Sequence, residues 1–523
     1  MEYKNRHKDL FFEKVILSFL IFCFCWNFEL YSRTFYVRFQ SGNDNNSGNS
    51  PHNAWGTTEA VNQRHFVAGD SILFSAGSKF NGQLIINGTG THKNPIFVGR
   101  YGTGVNPFFA AGGNYQTAIL IKNSSYIEVS ELDVSNWSDQ QKPFLKGILI
   151  ENQNAGTLNH IHLKNLKVQD VSGGITKSDR GVGIAFEVTD TLVPSRFNDL
   201  KIENCTIKHV DRDGIKSRSP FHARSKWFPS TNVVIRANYI KDVGGDGIVV
   251  MACDGALVER NIVKYARQRA PDHAAGIWPW GSDDTVIQFN EVAFTRGTLD
   301  GQGFDVDNNC RNTIVQYNYS HDNDGGFLLL CADGTRDQKI SAGNIGAVVR
   351  YNISLNDHSR TVQVGGGVQS AKIYNNTFYN TDSVISPVIT TFWNGWAEDV
   401  AFYNNIFYYT GNTTSGHMSI EDKATGIFRI QPGFEPSVNF FFLNNLYHGR
   451  FNQDFDDKRK ITANPMFTDA GAVPDGIEML KNYGLLESSP AKNAGFLLPV
   501  HATFDFSGTH INRESKISLG AFQ

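Results

Sequence analysis

An asparagine that directly precedes a short apolar segment recurs along this chain, and no other feature of the sequence constrains the fold as strongly. Successive copies are 23 to 40 residues apart. Repeats of this length cannot each enclose a core, so they indicate a solenoid whose stacked coils share one. The repeated residues are Asn165, Asn204, Asn238, Asn261, Asn290, Asn318, Asn352, Asn376, Asn405 and Asn445.

The repeats are predicted to be β rather than helical. The apolar segments are rich in Val, Ile and Phe, turn residues separate them, and the chain contains 49 glycines. These features favour many short strands joined by tight turns. Asparagines stacked in register can also bond their side-chain amides from coil to coil.

Three segments near the start resemble the opening of secreted bacterial right-handed parallel β-helix proteins: 34–37, 68–74 and 94–102. Segments 464–467, 489–495 and 519–522 resemble the closing part of such proteins. The resemblance implies an all-β fold, a single-stranded right-handed parallel β-helix. We therefore expect an N-terminal β capping module at 34–120, repeats with an active-site face at 121–445, and C-terminal coils with a cap at 446–523.

The N-terminus resembles a targeting segment. Basic residues including Lys4, Arg6 and Lys14 precede an apolar run at 15–26 that is short for a membrane span. We predict a signal peptide and leader over 1–33 and a secreted or periplasmic protein, in preference to a lipid anchor. The net charge of −3 gives no indication of a nucleic-acid partner, and we expect a monomer with no membrane span.

Four cysteines follow this segment: Cys205, Cys253, Cys310 and Cys331. Their spacing matches neither a metal site nor a disulfide framework. We interpret them as small apolar core residues.

A second pattern, glycine followed by Ile or Phe, predicts which residues share the outer face of one sheet. If each Ile or Phe points inward, its neighbours point outward and stack from coil to coil. One predicted column is Lys216, Val249, Trp278, Asp305 and Leu328, and the next is Arg218, Met251, Trp280, Asp307 and Leu330.

Asp305 and Asp307 are the first candidates for catalysis. Two carboxylates on one face of a strand are costly to place together, whereas glycoside hydrolysis uses such a pair as acid and base. Asp246, two coils below, is a candidate for the base. Lys216 is a candidate base for the alternative reaction, in which a lyase removes the proton next to a uronic carboxylate.

The candidates for binding a sugar surround these residues. Trp278 and Trp280 offer indole rings on which a sugar can stack. The other predicted binding residues are Arg218, His273, Asp213 and Asp324.

The segments 300–305 and 318–327 resemble β-helix proteins encoded by polysaccharide-degrading bacteria, which include glycoside hydrolases and polysaccharide lyases. This resemblance implies a polysaccharide or oligosaccharide substrate and leaves open whether it is acidic. A hydrolase is our first hypothesis and needs no metal. The alternatives are a calcium-assisted lyase, with Asp246, Asp305 and Asp307 as the metal ligands, and a non-catalytic glycan-binding β-helix.

Overall fold

The fold is taken from a computed structural model of the chain. It describes residues 32–523 except 141, 334–340, 382–383, 394, 415–416, 424–426, 431–438, 452–454, 472, 499–501 and 513–515. The predicted signal peptide lies outside the described residues and remains a prediction. Within the described residues, no helix is both long and apolar enough to cross a bilayer.

Stacked asparagines form a continuous hydrogen-bonded ladder through the solenoid, as predicted. In Asn290, Nδ2 donates to Oδ1 of Asn318 (3.0 Å) and to the carbonyl oxygen of Val258 (2.9 Å). Its Oδ1 accepts from the backbone N (2.9 Å) and Nδ2 (3.0 Å) of Asn261. The same pattern continues to Asn445, whose Nδ2 donates to Asp457. Each buried amide is thus satisfied on both sides, which fixes the register of the coils.

The prediction was wrong for Asn165 and Asn204. The backbone N of Cys205 bonds to Oδ1 of Asn238, so Cys205 holds the ladder position in its coil. Asn165 and Asn204 come one residue earlier and have φ values of 54°. Asparagine tolerates this left-handed conformation, so the residue type recurs for a second reason that spacing alone does not reveal.

Three stacks of strands surround a shared core, confirming the right-handed β-helix. The first face consists of the strands Thr34–Val37, Ser71–Ser75, Ile96–Tyr101, Ile127–Ser130, Thr157–Lys164, Arg196–Glu203, Ser230–Arg236, Cys253–Asp254, Leu257–Glu259, Val286–Gln288, Ile314–Gln316, Val348–Arg350, Lys372–Tyr374, Ala401–Tyr403 and Phe441–Leu443. A small neighbouring sheet contains Cys310–Arg311, Asn344–Ile345 and Val368–Gln369.

The second face follows the asparagine ladder. It contains Lys79–Asn81, Phe108–Ala110, Asp133–Asn136, Lys167–Val171, Thr206–Val210, Tyr239–Val243, Ile262–Lys264, Glu291–Ala293, Tyr319–His321, Ile353–Leu355, Thr377–Asn380, Ile406–Thr414, Leu446–Phe451 and Ile461–Thr462.

The third face carries the candidate site. It contains Leu84–Ile86, Thr117–Lys122, Lys146–Asn152, Val182–Val188, Asp213–Arg218, Ile248–Met251, Ile277–Trp280, Gln302–Val306, Gly326–Ala332, Ser359–Gly366, Val384–Phe392 and His417–Lys423, followed by the antiparallel strand Ile427–Ile430.

Helices are short and lie between strands. One α-helix spans Thr58–Asn62, and 3₁₀ turns span Pro51–Asn53, Pro220–His222, Arg224–Lys226 and Ile477–Tyr483. The inward-facing residues form one apolar core that extends from Phe35 to Phe455. All four cysteines of the β-helix are buried and free, as predicted, and burial raises the pKa of Cys205 to about 12.

The C-terminal segment packs along the flank of the solenoid as well as near its last coils. Outward tyrosines of the coils, Tyr319 and Tyr379, form a cluster with Leu480 and Tyr483 of this segment. A second cluster joins Tyr351 to residues near the C-terminus. The segment therefore covers aromatic side chains that the coil pattern directs outward.

Candidate active site

Asp305 and Asp307 lie on the outer side of the strand Gln302–Val306 and just after it, as the alternation predicts. Phe304 and Val306 point into the core and are fully buried. Although Asp305 points outward, only 3% of it is exposed, and its Oδ1 has no hydrogen-bond partner in the described structure. An unpartnered carboxyl oxygen at this depth is costly and is typical of functional sites.

A third carboxyl belongs to this group, and the sequence analysis did not select it. Asp300 lies in the turn before the strand, with φ of 60°, and lines a cavity. Burial raises its pKa to about 6, and the nearby Asp307 carboxyl adds to the rise. Asp300 therefore keeps its proton at mildly acidic pH.

Burial also raises the pKa values of the other two carboxyls. The pKa of Asp305 is raised well above its usual range by burial and by the like charges of Asp307 and Asp300. Burial raises the pKa of Asp307 too, but hydrogen bonds from the backbone of Asn308 and from Cys331 oppose the rise. Asp307 is consequently the best stabilised carboxylate of the three.

Cys331 supports Asp307 from the next coil. Its Sγ lies 3.1 Å from Oδ1 of Asp307. Burial and the neighbouring carboxyls raise the pKa of the Cys331 thiol well above its usual value, so the thiol stays protonated and donates. This role differs from the purely apolar one predicted for the cysteines.

The calcium ligands predicted for a lyase do not come together. One oxygen each of Asp305 and Asp307 and the sulfur of Cys331 lie within 4.8 Å of one another, but Asp246 is not in this group. Calcium takes six to eight oxygen ligands, and a thiol is a poor one. Within the described residues, this cluster does not fit calcium.

Asp246 instead belongs to a buried ion-pair network. Lys216 Nζ lies 3.0 Å from Oδ2 of Asp246 and 2.7 Å from Oδ2 of Asp213. Burial alone would raise the pKa of Asp246, but the charges of Lys216 and Arg212 outweigh it and lower the pKa.

This network corrects three predictions. The Lys216 ammonium is held between two carboxylates, so it is not a free base. Asp213 and Asp246 are fully buried, so they support the site from below rather than contact a substrate. The sequence pattern placed these residues on the correct face but could not show that they pair with one another.

The two tryptophans differ in exposure. Trp278 is only 8% exposed, and its Nε1 donates to Oδ1 of Asp246 (3.0 Å). It therefore lacks an open ring face, which contradicts its predicted role as a sugar platform. Trp280 is partly exposed and lies beside His222, with ring centroids 4.5 Å apart. Its role in sugar stacking stays a prediction.

The remaining predicted binding residues lie at different distances from the centre. His273 is exposed and lines the cavity beside Asp300. Asp324 accepts a hydrogen bond from the backbone N of Gly297 (2.6 Å). Gly297 belongs to the loop that leads to Asp300, so Asp324 supports this loop. Arg218 lies in an earlier coil of the same face, where its Nε is 3.8 Å from Oε1 of Glu187. Its role in binding stays a prediction.

A buried arginine holds the loops that border the site. Arg212 is fully buried, and its Nη1 donates to the carbonyl oxygen of Ile175 (3.1 Å) and to the carboxylate of Asp272. Its Nη2 donates to the carbonyl oxygen of His273 (3.2 Å). The loops from two distant coils are thereby fixed at the rim of the cavity.

The cavity beside Asp300 has a volume of about 320 Å³. It extends from Asp300 to residues of the later coils, whereas the predicted tryptophans lie in the coil that precedes Asp305. Its lining residues are His273, Thr298, Leu299, Asp300, Ser359, Arg360, Gln363, Ile389, Thr391 and Trp393. A larger cavity of about 460 Å³ lies against the C-terminal segment, but Asp300 does not line it.

The position of Trp393 depends on a glycine in the third face. Gly365 belongs to the strand Ser359–Gly366 and pairs with Cys331. A Cβ atom on Gly365 would lie 2.5 Å from the indole ring of Trp393. The missing side chain of Gly365 therefore makes room for Trp393, which lines this cavity.

The predicted columns hold only as far as the aspartates. Strand pairing places Trp278 beside Val249 and Phe304 beside Leu328, so Leu328 points inward. Asp305 is followed in its column by Leu329 and Gln363. The predicted positions of Leu328 and Leu330 were wrong by one residue, because Gly326 with φ of 113° interrupts the regular spacing.

Known proteins with this architecture include carbohydrate-active enzymes. The family described as "Right handed beta helix region" matches residues 111–292. A lacto-N-biosidase of Bifidobacterium longum subsp. longum is 30% identical over 443 residues, which cover 66% of this chain and 27% of that protein. The matched region is thus about a quarter of the relative's length.

Solved structures extend this similarity to the fold. A GH136 lacto-N-biosidase from Eubacterium ramulus in its native form superposes with a TM-score of 0.61 and 26% identity, covering 74% of this chain and 68% of that one. Its selenomethionine derivative gives the same TM-score with 27% identity, covering 68% and 64% of the two chains. The chain is similar to lacto-N-biosidases. The predicted relationship to carbohydrate-active β-helix proteins is confirmed.

Proposed function

We propose that this chain is a glycoside hydrolase that releases a lacto-N-biose-type disaccharide from an oligosaccharide. The observation that carries the proposal is Asp300, a carboxyl that lines a cavity and has a pKa of about 6, raised by burial and by the charge of Asp307. The similarity to lacto-N-biosidases over 443 residues supports both the reaction and the sugar unit. The cavity volume of about 320 Å³ is at the lower end of the range of ligand pockets, about 300–1,000 Å³.

The chemistry follows from the different protonation states of the two carboxyls. Asp300 donates its proton to the glycosidic oxygen as the carbon–oxygen bond breaks. Asp307, held as a carboxylate by Asn308 and Cys331, stabilises the positive charge at the anomeric carbon as nucleophile or as base. Water then supplies a hydroxyl group to that carbon. If Asp307 acts as nucleophile, the water proton goes to Asp300 as Asp307 is released; if Asp307 acts as base, it takes the water proton itself, and Asp300 is reprotonated from solvent.

Asp305 influences the charge balance around Asp300 and Asp307 and does not itself react. It is almost fully buried, and its pKa is raised well above its usual range by burial and by the charges of Asp307 and Asp300. We therefore infer that Asp305 is neutral during the reaction. A neutral Asp305 avoids a third negative charge beside Asp307. The sequence pattern predicted the acid to be in the pair Asp305 and Asp307; we assign this role to Asp300 instead, because Asp300 lines the cavity.

Residues around the cavity are suited to binding a neutral sugar. Trp393 offers an aromatic ring, and Gln363 supplies an amide whose Nε2 already donates to Thr391 (3.0 Å). Arg360 adds a cation, with Nη2 donating to the carbonyl oxygen of Asp300 (3.2 Å). A few polar groups around an aromatic surface are typical of small-ligand sites.

The test is product analysis with two substrates. We expect an oligosaccharide with a terminal lacto-N-biose unit to yield the free disaccharide, with no ultraviolet-absorbing unsaturated sugar and no loss of rate in EDTA. A uronic-acid polymer is the control and should remain intact. An unsaturated product that disappears with EDTA would establish the lyase, and glycan retention without any product would establish a binding protein.

A further inference from the structure

We propose that the first face carries a zinc site made by Glu128, His160 and His162. It lies on a different sheet from the cavity and uses none of the residues of the proposed hydrolase. One carboxylate oxygen of Glu128 and one ring nitrogen of each histidine lie within 4.8 Å of one another. Imidazole nitrogen and carboxylate oxygen are the donors that Zn²⁺ takes in sites with two histidines and one glutamate.

The backbone brings these three residues together from two coils. His160 and His162 belong to the strand Thr157–Lys164, and His162 pairs in register with Glu128 of the preceding coil. His160 has a φ of 55°, which breaks the regular strand there. The two imidazole rings consequently lie side by side with centroids 3.8 Å apart.

The distances suit a shared cation. Nε2 of His160 lies 3.1 Å from Oε1 of Glu128. Ligand atoms bound to a tetrahedral Zn²⁺ at about 2.0–2.1 Å lie about 3.3–3.4 Å from one another. Nε2 of His160 and Oε1 of Glu128 are therefore separated by nearly the distance that two zinc ligands have.

Asp199 supplies the outer support that such sites use. Its Oδ2 lies 2.7 Å from Nδ1 of His160, and its Oδ1 lies 3.0 Å from Nε2 of His162. One carboxylate thus orients both rings and leaves the opposite nitrogen of each for the metal. Histidines that bind metals usually donate their other N–H group to a carboxylate in this way.

The charge around Asp199 is already balanced for this role. Lys201, which pairs in register with His162, has its Nζ 3.3 Å from Oδ1 of Asp199, the same oxygen that bonds to His162. Glu128 is partly exposed at 40% of its side chain, so water can reach the ion and complete its coordination. The site is accessible to zinc from solution without opening the core.

The experiment is a calorimetric titration of the metal-free full chain with ZnCl₂ at neutral pH. We expect binding of zinc at this site in the micromolar range or tighter, and Glu128→Gln and His162→Gln should each raise Kd at least ~10-fold. Asp199→Asn should raise it ~10–100-fold, because the rings lose their common support. Thermal unfolding of each variant without metal checks that it folds.

His209→Gln is the matched control. His209 also bonds to an aspartate, with Nδ1 2.8 Å from Oδ1 of Asp170, but among the described residues it belongs to no group of three possible metal ligands. It should leave Kd unchanged. No zinc binding by the parent chain, or unchanged binding in folded Glu128→Gln and His162→Gln, would overturn the proposal. Neither result depends on hydrolysis, so the zinc site and the proposed function can fail separately.

Discussion

At the scale of single residues, the proposed hydrolysis depends on carboxyls whose burial separates their protonation states. Asp300 reaches the cavity with a pKa of about 6, whereas Asp307 receives two hydrogen bonds that favour its charged form. The three residues are all aspartates, so their different roles depend on where each carboxyl lies. This is why three aspartates within eight residues are predicted to respond differently to mutation.

The first prediction concerns the pH dependence of kcat/KM. Activity should fall as pH rises through about 6, because Asp300 then loses the proton that it must donate. Arg360 lowers the pKa of Asp300 through its positive charge. Arg360→Gln should therefore move this alkaline limb to higher pH, whatever it does to the maximal rate.

Arg360→Lys is the control for that measurement, because it keeps the charge. The alkaline limb of its kcat/KM profile should lie at nearly the same pH as that of the parent enzyme. An alkaline limb that does not move in Arg360→Gln would show that a group other than Asp300 controls the reaction.

The second prediction concerns the stability contributed by Asp305. Its pKa is raised in the folded state, so its stabilising contribution is complete below the unfolded value of about 3.9 and is lost as pH rises through the folded pKa. Asp305→Asn removes the ionisable group, so the variant does not lose this stability as pH rises. The Tm of the variant relative to the parent should increase as pH rises above about 4, as measured by calorimetry at several pH values. A constant difference would contradict the assignment of a raised pKa to Asp305.

At the scale of structural elements, the asparagine ladder is what holds neighbouring coils in register. Asn290→Ala would leave the backbone N of Asn261 and the carbonyl oxygen of Val258 without their side-chain partner. Unsatisfied buried groups cost about 1–3 kcal/mol each, so we expect a loss of about 2–5 kcal/mol in the free energy of unfolding. Chemical denaturation measures this loss.

Asn49→Ala serves as the control for the ladder. Asn49 is exposed, and its side chain accepts one hydrogen bond, from Ser47. The variant should change stability by less than about 0.5 kcal/mol. Equal losses in the two variants would mean that the buried ladder adds no stability of its own.

These elements also show what the sequence could predict. Asn238, Asn261 and later rungs repeat at visible intervals, and the alternation of Phe304 with Asp305 identifies the outward face. Asp300 and Trp393 were missed because they lie in or just after irregular turns, where neither period applies. The one-residue error at Leu328 arose in the same way, from the unusual conformation of Gly326.

At the scale of the whole molecule, the solenoid separates stability from function. The ladder runs along the second face, the carboxyls lie on the third, and the proposed zinc site lies on the first. The C-terminal segment covers aromatic residues on the flank, and none of its described residues lines the cavity beside Asp300. Changes at one face are therefore expected to leave the others intact.

The zinc prediction tests that separation directly. Glu128→Gln alters the first face only, so the rate of disaccharide release in the presence of EDTA should equal that of the parent chain. Calorimetry and the hydrolysis assay on the same preparation provide both readouts. A large loss of hydrolysis in a folded Glu128→Gln variant would show that the faces are coupled.

The most direct test of the central claim is the rate of disaccharide release by Asp300→Asn and Asp307→Asn. Both variants should fold and lose activity by ~100- to 10,000-fold, since each removes one member of the acid–carboxylate pair. Asp254→Asn, which replaces a carboxyl on the first face whose pKa is also raised by burial, should retain the parent rate. Rates near that of the parent in either Asp300→Asn or Asp307→Asn would contradict the account.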